Sequence, residues 1–277
     1  MEATEANFTA KDVMALRAKT GLGMMDCKKA LTANNGDMAA AETWLRQKLK
    51  GKMEGRTDRM TGQGRIGVRI DGGAAAIVEI LTETDFTARN EEFVAMVDDI
   101  VGLVITRPAG TVEPDEAITT RIDDVRIKTG ENVNFARGEK LDGAAFGKYL
   151  HHDGKRAAIV QIEGSADADL LTGICQHIVA HVPTPIAVDE DHVDTDLIEK
   201  IRSKARQEAT DSGKPAEIVE KIVEGKVRKY LQVNTLVNQM YVKDPSGKTT
   251  VKSLLPDGVK ITRFLRYTVG EGAGGLV

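Results

Sequence analysis

Two six-residue strings in this chain are nearly the same, and no other feature constrains its fold as strongly. Residues 75–80 read Ala-Ala-Ile-Val-Glu-Ile, and residues 157–162 read Ala-Ala-Ile-Val-Gln-Ile. Both strings are apolar at five of their six positions and of strand length, and each follows a turn, at Asp71-Gly72-Gly73 and at Asp153-Gly154. This pattern is typical of a β-hairpin. The sequence therefore predicts two similar β-hairpins.

A helix is predicted after each hairpin. Asn90 is placed to cap a helix that runs to about Val104, and a later helix runs from Asp167 to about Val182. Between the two units, Asp115–Lys128 has a helical pattern and Val133–Gly138 a strand-like one. The sequence thus predicts two related α+β subdomains, each a sheet with helices laid on it.

The first fifty residues have the pattern of three short helices. Thr9 can cap the first helix with Asp12 as its capping-box partner. The second helix is predicted from about Met25 to Thr32, and Asp37 is placed to cap the third. Three helices of this length bury little core, so we interpret the segment as a docking module on a larger body.

The segment after this module is rich in Gly, Arg, Lys and Thr and lacks apolar periodicity. Such a composition is typical of a solvated linker. Its basic side chains, between Lys48 and Arg59, also suit contact with RNA phosphates. The sequence favours the linker and keeps the RNA contact as an alternative.

Two long, charge-rich amphipathic segments, Asp194–Asp211 and Pro215–Leu231, are joined by Ser212-Gly213-Lys214. Pro215 occupies a favoured position in the first turn of a helix. The pair predicts an antiparallel helical hairpin. Whether this hairpin, or the core, pairs with a second copy of the chain is left open by the sequence.

After the hairpin the chain is predicted to return to sheet, with strands at Gln239–Lys243 and Lys260–Val269. The predicted fold class is α+β. The predicted domains are a three-helix docking module (1–50), a linker (51–64), a first core subdomain (65–140), the first part of a second core subdomain (141–188), the helical hairpin (189–233), and the remainder of the second subdomain with the tail (234–277).

Composition narrows the classes of partner. The net charge is -4 and the aromatic content 4%, so the chain lacks both the basic field and the stacking platforms that favour nucleic acid. We expect a protein partner, no direct nucleic-acid binding and no membrane. The N-terminal residues have no signal-peptide pattern, which predicts a cytoplasmic protein. Cys27 and Cys175 are read as reduced thiols, although one disulfide is arithmetically open.

No catalytic constellation emerges from the sequence. Cys175, His177 and His181 form the best metal-like cluster, but a packed helix explains them better because the glutamate of a zinc-hydrolase motif is absent. The glycine-rich tail, residues 270–275, resembles a phosphate loop only superficially and is read as a frayed terminus. His151 and His152 have no nucleophile nearby in sequence. We therefore predict no enzyme and no cofactor.

Three strings carry a family resemblance: Thr20-Gly21-Leu22-Gly23-Met24-Met25-Asp26-Cys27-Lys28-Lys29-Ala30-Leu31, Thr84-Asp85-Phe86 and Ser212-Gly213-Lys214-Pro215. In this order, and over nearly the whole chain, they resemble the bacterial translation elongation factor Ts family. The resemblance implies guanine-nucleotide exchange on elongation factor Tu, with an N-terminal ubiquitin-associated-like module, a core of two subdomains and an inserted helical hairpin.

The resemblance also implies which residues contact the partner. Arg17, Met24 and Met25 would dock on its GTPase domain, and the two methionines are expected in the loop between the first two helices. For Met25, a place in the core of the three-helix module is the alternative. Methionine suits an irregular docking surface because its side chain adapts to different pockets.

Asp85 and Phe86, which follow Thr84, match the family's intruding pair, so Phe86 would enter the partner near its Mg²⁺ site. Phe86 covering its own hairpin and Asp85 capping the turn at Asn90 are the alternatives.

Gly130 and His151 match further contact positions of the family. His151 would reach a different domain of the partner, or else pack locally at a strand end. Thr87 and Thr129 depart from the aliphatic residues usual in the family, which puts those two contacts in doubt. The rival function is an RNA- or ribosome-binding adaptor.

Overall fold

The computed structural model describes residues 7–271, apart from the side chain of Glu54. Helices and strands are mixed, and no helix in this range is long and apolar enough to cross a bilayer. The helices are α1 (Ala10–Thr20), α2 (Met24–Ala33), α3 (Met38–Glu54), α4 (Asp85–Arg89), α5 (Glu91–Val104), α6 (Glu116–Thr129), α7 (Ala168–Ala180), α8 (Thr195–Asp211), α9 (Ala216–Asn234) and α10 (Val251–Leu254). The strands are β1 (Gln63–Asp71), β2 (Ala74–Thr82), β3 (Gly110–Thr111), β4 (Val133–Asp142), β5 (Ala145–Leu150), β6 (Arg156–Glu163) and β7 (Lys260–Thr268).

The chain divides into two compact units. The first contains the residues up to Gly64 together with Ile80–Ile100 and Glu113–Phe135. The second contains Arg65–Glu79, Val101–Val112 and the residues from Ala136 onward.

The N-terminal helices begin and end as their sequence predicts. Thr9 and Asp12 form a capping box at the start of α1, and Gly21 ends that helix with a φ of 70°. Asp37 accepts hydrogen bonds from two backbone amides at the start of α3. α2 begins at Met24, one residue from its predicted start. Met24 and Met25 therefore lie in its first turn, and the expectation that they lie in a loop is wrong.

The stretch predicted to be a solvated linker is held more firmly than expected. α3 continues through Glu54 into this stretch. Further along, the Thr57 carbonyl accepts a hydrogen bond from Asn132 Nδ2 (2.9 Å), and Thr61 Oγ1 accepts one from Asn134 Nδ2 (2.8 Å). The partners are more than seventy residues away in sequence, so composition alone gave no sign of this anchoring.

Two sheets form, with strand orders β1-β2-β4-β3 and β5-β6-β7. The predicted hairpins are β1 with β2 and β5 with β6, the latter pairing antiparallel from Ala145 opposite Ile162 to Leu150 opposite Ala157. β7 pairs antiparallel with the other side of β6. The repeated string therefore lies in β2 and in β6.

β6 explains why apolar residues occupy consecutive positions in the repeated string. Ala157 and Ile159 lie in one buried cluster with residues of β1, β2 and β7. Ala158 and Val160, on the opposite face, lie in a second buried cluster with residues of α7. A strand covered on both faces has no solvent side, so the alternation of apolar and polar residues disappears.

The predicted helical hairpin is formed by α8 and α9. Its two helices pack through small and branched side chains, Ala205 and Ala209 against Val219 and Val223. Pro215 stands at the N-cap of α9, one residue before the first-turn position that the sequence predicts.

The strand predicted at Gln239–Lys243 is wrong. Met240 makes only an isolated bridge with Thr250. The Val242 amide donates to His177 Nδ1 (3.1 Å), so a side chain on α7 takes the bond that a neighbouring strand would provide.

The tail is likewise anchored where it is described. The Gly270 amide donates to the buried carboxylate of Glu79 (2.7 Å), and Glu271 pairs with Arg266 (2.8 Å). The expectation of a frayed terminus is therefore wrong for Gly270 and Glu271. Residues 272–275 lie outside the described residues.

Candidate functional site

Phe86 lies on the surface of the first unit, on the five-residue helix α4. Its side chain is 84% exposed, whereas Thr87 and Ala88, which follow it, are buried. The alternative that Phe86 covers its own hairpin therefore fails. An exposed aromatic ring is unfavourable in water and is the type of side chain that anchors an interface.

The carboxylate of Glu131 holds the start of α4. Its Oε1 accepts a hydrogen bond from Thr84 Oγ1 (2.6 Å), and its Oε2 accepts from the Thr84 amide (3.1 Å) and from Thr82 Oγ1 (2.9 Å). Burial opposes ionisation of this carboxyl, but hydrogen bonds, chiefly from Thr84 and Thr82, outweigh burial and lower the pKa of Glu131 below its ordinary value. Glu131 is thus an ionised anchor at neutral pH.

The loop that carries Glu131 is itself fixed on both sides. Gly130 ends α6 with a φ of 71°, and its carbonyl accepts a hydrogen bond from Arg56 Nη1 (2.5 Å). The buried amide of Asn132 donates to the carbonyls of Thr57 (2.9 Å) and Arg59 (2.8 Å). Gly130 and the helix that carries Phe86 are therefore brought together through Glu131.

The neighbours of Phe86 have local partners. Asp85 forms an ion pair with Arg89, four residues on, at 3.1 Å. The turn at Asn90 is capped by the Asn90 side chain, which accepts from the Glu92 amide (2.8 Å). The alternative that Asp85 caps this turn is therefore wrong.

Thr87 and Thr129, the two residues that depart from the family pattern, are held within the chain. Thr87 is buried, and the hydroxyl of Thr129 donates to the Val125 carbonyl within α6 (2.8 Å). Neither threonine side chain is free to replace an aliphatic surface contact.

The N-terminal docking residues are exposed. Met24 and Met25 are 48% and 63% exposed, and Arg17 is exposed on α1. Cys27, not Met25, lies in the buried core of the three helices, so the core alternative for Met25 is wrong. Met14, which is exposed one helical turn before Arg17 on α1, was not singled out in the sequence.

The turn between α1 and α2, at Gly21, lies near the C-terminal end of α6. A Cβ built on Gly21 would lie 3.7 Å from Lys128 Cε, two residues before Gly130. Ion pairs of α3 with α6, Arg46 with Asp124 and Lys50 with Asp123 (3.1 Å), join the N-terminal helices to the same helix. Seven of the eight predicted contact residues therefore belong to one compact unit: Arg17, Met24, Met25, Thr84, Asp85, Phe86 and Gly130.

Several basic side chains considered for RNA are already engaged within this unit. Lys48 lies over the Trp44 ring, 4.4 Å from its centroid, and Arg59 pairs with Glu83 at 3.4 Å. Lys50 and Arg56 have the partners described above. These four cations would have to leave their partners before they met phosphate.

His151, the eighth predicted contact residue, belongs to the second unit. Its Nδ1 lies 2.8 Å from Tyr149 Oη, and its ring centroid lies 4.3 Å from that of His152. The His151 side chain is half-buried. It packs locally, and part of it remains open to solvent.

The buried histidine of α7, His177, has structural partners. His177 Nδ1 accepts from the Val242 amide, so Nε2 carries the proton that is shared with Gln239 Oε1 (3.0 Å). Burial lowers the pKa of His177 from 6.5 to about 4, despite the opposing hydrogen bond with Gln239. Burial also raises the pKa of the Cys175 thiol. Among residues 7–271, no group of three or more His, Cys, Asp or Glu side chains is arranged to hold a metal.

Sequence reasoning missed the residues that hold α4 in place. Glu131 and Asn132 stand between a helix and a strand, where polar residues are common, so nothing in the local sequence distinguishes them. The partners of Glu131, Thr82 and Thr84, are nearly fifty residues away, and the partners of Asn132 are at least as distant, so no local pattern connects them.

Comparison with known proteins identifies the family of this chain. The family model described as elongation factor Ts matches residues 83–271, and one described as "Elongation factor Ts, mitochondrial, N-terminal" matches residues 3–52. The chain is 40% identical over 276 residues to the elongation factor Ts of Thioalkalivibrio sulfidiphilus (strain HL-EbGR7), an alignment covering 96% of this chain and 93% of that relative. On these grounds the chain belongs to the elongation factor Ts family.

Proposed function

We propose that this chain, which as a member of its family is a guanine-nucleotide exchange factor for elongation factor Tu, releases nucleotide by inserting Phe86 beside the partner's Mg²⁺ and phosphate site. The observation that carries this proposal is an exposed phenylalanine on a short helix whose N-cap residue, Thr84, is fixed by an ionised carboxylate. A ring presented in this way can enter a pocket without first reorganising its own support.

Exchange requires differential binding. By linkage, a factor that binds the empty GTPase more tightly than the nucleotide-bound one must weaken nucleotide binding by the same factor. Weakening by about 10⁴-fold requires roughly 5.5 kcal/mol. One well-buried aromatic anchor contributes about 2–4 kcal/mol. Contacts elsewhere must supply the rest.

We assign those contacts to the remaining candidate residues. Arg17, Met24 and Met25 dock on the partner's GTPase domain, where adaptable methionines tolerate an irregular surface. Gly130 adds backbone contact next to Phe86, and His151 meets a different domain of the partner. Asp85 supports the intrusion beside Phe86.

Thr84 contributes chiefly by placing Phe86. Its hydroxyl donates to Glu131 and also accepts from the Thr87 amide (3.3 Å), so both of its hydrogen-bonding functions are used within the chain.

The domain plan is proposed on the same basis. It comprises an N-terminal module of ubiquitin-associated type, two related core subdomains and the inserted hairpin of α8 and α9, with the boundaries given from the sequence. We further propose that the chain catalyses no chemical reaction, acts in the cytoplasm and binds no nucleic acid directly. Self-association through the hairpin or the core is a separate question, answered by sedimentation.

Release of a fluorescent GDP analogue from elongation factor Tu tests the proposal. The wild-type chain should accelerate release strongly, and Phe86→Ala should lose about 30-fold or more of that acceleration, as expected for an anchor. Met60→Ala, which also truncates an exposed apolar side chain of the first unit, serves as the matched control and should behave as wild type.

Other outcomes are equally informative. Equal acceleration by Phe86→Ala and the wild type would leave exchange in place and refute the insertion of Phe86. No acceleration by either would refute the proposed function for this chain. Binding to RNA that weakens steeply with salt would then support the adaptor alternative.

A further inference from the structure

We infer that Glu131 is a positioning residue for nucleotide exchange, because its carboxylate fixes the helix that presents Phe86. The inference rests on the proposed function and names a residue on which the insertion of Phe86 depends. Glu131 itself need not touch the partner.

The helix that carries Phe86 is too short to fix its own orientation. α4 has five residues, little more than one turn. An isolated helix of this length is unstable in water, because ordering the first turn costs more free energy than the hydrogen bonds of one turn provide. Its direction must therefore be imposed from outside, and its first turn is where that happens.

One carboxylate provides much of this constraint. Glu131 accepts three hydrogen bonds, one from Thr82 at the end of β2 and two from Thr84 at the N-cap of α4. Both threonines lie within four residues of Phe86. Hydrogen bonds to an ionised group are stronger than those between neutral groups. One of the donors here, Thr82, is fully buried.

The anchor itself is held from a third segment. The backbone amide of Asn132 donates to Glu83 Oε1 (2.6 Å), and its side-chain amide donates to the backbone carbonyls of Thr57 and Arg59. Glu131 is therefore fixed on a rigid loop and transmits that rigidity to α4. A carboxylate on a mobile loop would hold nothing.

Both length and charge are needed at this position. Aspartate is one methylene shorter and would fall short of the threonines. Glutamine has the right length but a single acceptor oxygen, so at least one of the three donors would lose its partner. We therefore expect Glu131→Gln to be intermediate between wild type and Glu131→Ala.

A double-mutant cycle with Phe86 tests the inference. At saturating exchange factor, Glu131→Ala should slow GDP release about tenfold, the scale expected from losing hydrogen bonds to a charged group. In the Phe86→Ala background, the same change should have almost no further effect, since the presented ring is already gone. Glu116→Ala, at the opposite end of α6, is the matched control and should leave the rate unchanged.

The cycle separates the inference from the proposed function. A Phe86→Ala variant as fast as wild type refutes the insertion of Phe86, and this inference with it. A slow Phe86→Ala beside a fast Glu131→Ala refutes this inference alone. An equal slowing by Glu131→Ala in both backgrounds also refutes it, since the effect then arises elsewhere.

Loss of folding must be distinguished from loss of positioning. If thermal unfolding shows that Glu131→Ala is largely unfolded, Glu131→Gln and Thr82→Val take its place in the cycle. Each removes part of the network, and each should slow release a few-fold with Phe86 present and not with Phe86→Ala. A slowing that persists without Phe86 contradicts the inference.

Discussion

At the scale of single residues, buried polar side chains decide conformation where backbone pairing is absent. Glu79, 1% exposed, pairs with Arg137 (2.6 Å) and accepts the amide of Gly270. His177 takes the amide of Val242, and Gln239 donates to the carbonyls of Pro183 (3.0 Å) and Val233 (2.9 Å). In each case a buried side chain bonds a backbone amide or carbonyl that has no partner in a β-sheet: Gly270, Val242, Pro183 and Val233.

The buried imidazole of His177 makes stability depend on pH. Its pKa is about 4 in the folded chain and 6.5 ordinarily, so between these values the unfolded chain binds more protons. The contribution of neutral His177 to the free energy of unfolding should therefore be fully present above pH 6.5. It should be lost as the pH falls toward 4, by a total on the order of 3 kcal/mol. Urea unfolding of wild type between pH 7 and 5 measures the slope.

The variant His177→Gln should be less stable at pH 7 and should lose much of this slope. His152→Gln, which removes an exposed imidazole, serves as its control and should keep the slope of wild type. Identical slopes for wild type and His177→Gln would assign the pH dependence to other groups.

At the scale of secondary-structure elements, the hairpin of α8 and α9 contains two glycines with opposite roles. Gly213, at the turn, has a φ of 69°, a conformation that disfavours side chains. Gly225 lies inside α9, and a Cβ added there would meet nothing within 4 Å. The first glycine is required by the turn, and the second only weakens a helix.

Alanine at these two positions should therefore act in opposite directions. Gly225→Ala should stabilise α9 by about 1 kcal/mol, the usual difference between the two residues inside a helix. Gly213→Ala should destabilise the hairpin by about 1–2 kcal/mol. Amide hydrogen exchange along α9 measures both. Faster exchange in Gly225→Ala would show that this position needs glycine for another reason.

At the scale of the whole molecule, the proposed function makes exchange depend on several separate contacts with the partner. The exposed methionines of α2 and the phenylalanine of α4 lie on different elements of the first unit. In the proposed function, the methionines contribute affinity and Phe86 contributes the bias against nucleotide. The two kinds of contact should then be separable by measurement.

The double variant Met24→Ala/Met25→Ala should weaken binding to nucleotide-free elongation factor Tu about tenfold or more, since two exposed anchors are truncated. Its thermal unfolding should be unchanged, because neither side chain lies in the core. At saturation its GDP-release rate should approach that of wild type, unlike Phe86→Ala. Titration calorimetry and release kinetics measure the two quantities, and unchanged affinity would remove these methionines from the interface.

Local signals were sufficient for much of the architecture. The capping box at Thr9, the stop at Gly21 and the cap at Asp37 fixed helix ends, because capping uses groups within a few residues. The repeated string marked β2 and β6, because a strand covered on both faces carries apolar residues at consecutive positions. The exposed Met24, Met25 and Phe86 followed from a family resemblance and not from periodicity.

What the sequence alone determined, then, are the helix boundaries set by caps, the paired hairpins and the family. Tertiary structure decided that Glu131 holds Thr82 and Thr84, that residues 239–243 form no strand, and that the basic segment after α3 is anchored. These features rest on hydrogen bonds between residues about fifty or more positions apart. Such bonds leave no periodic trace in the sequence, because either partner alone is an ordinary polar residue.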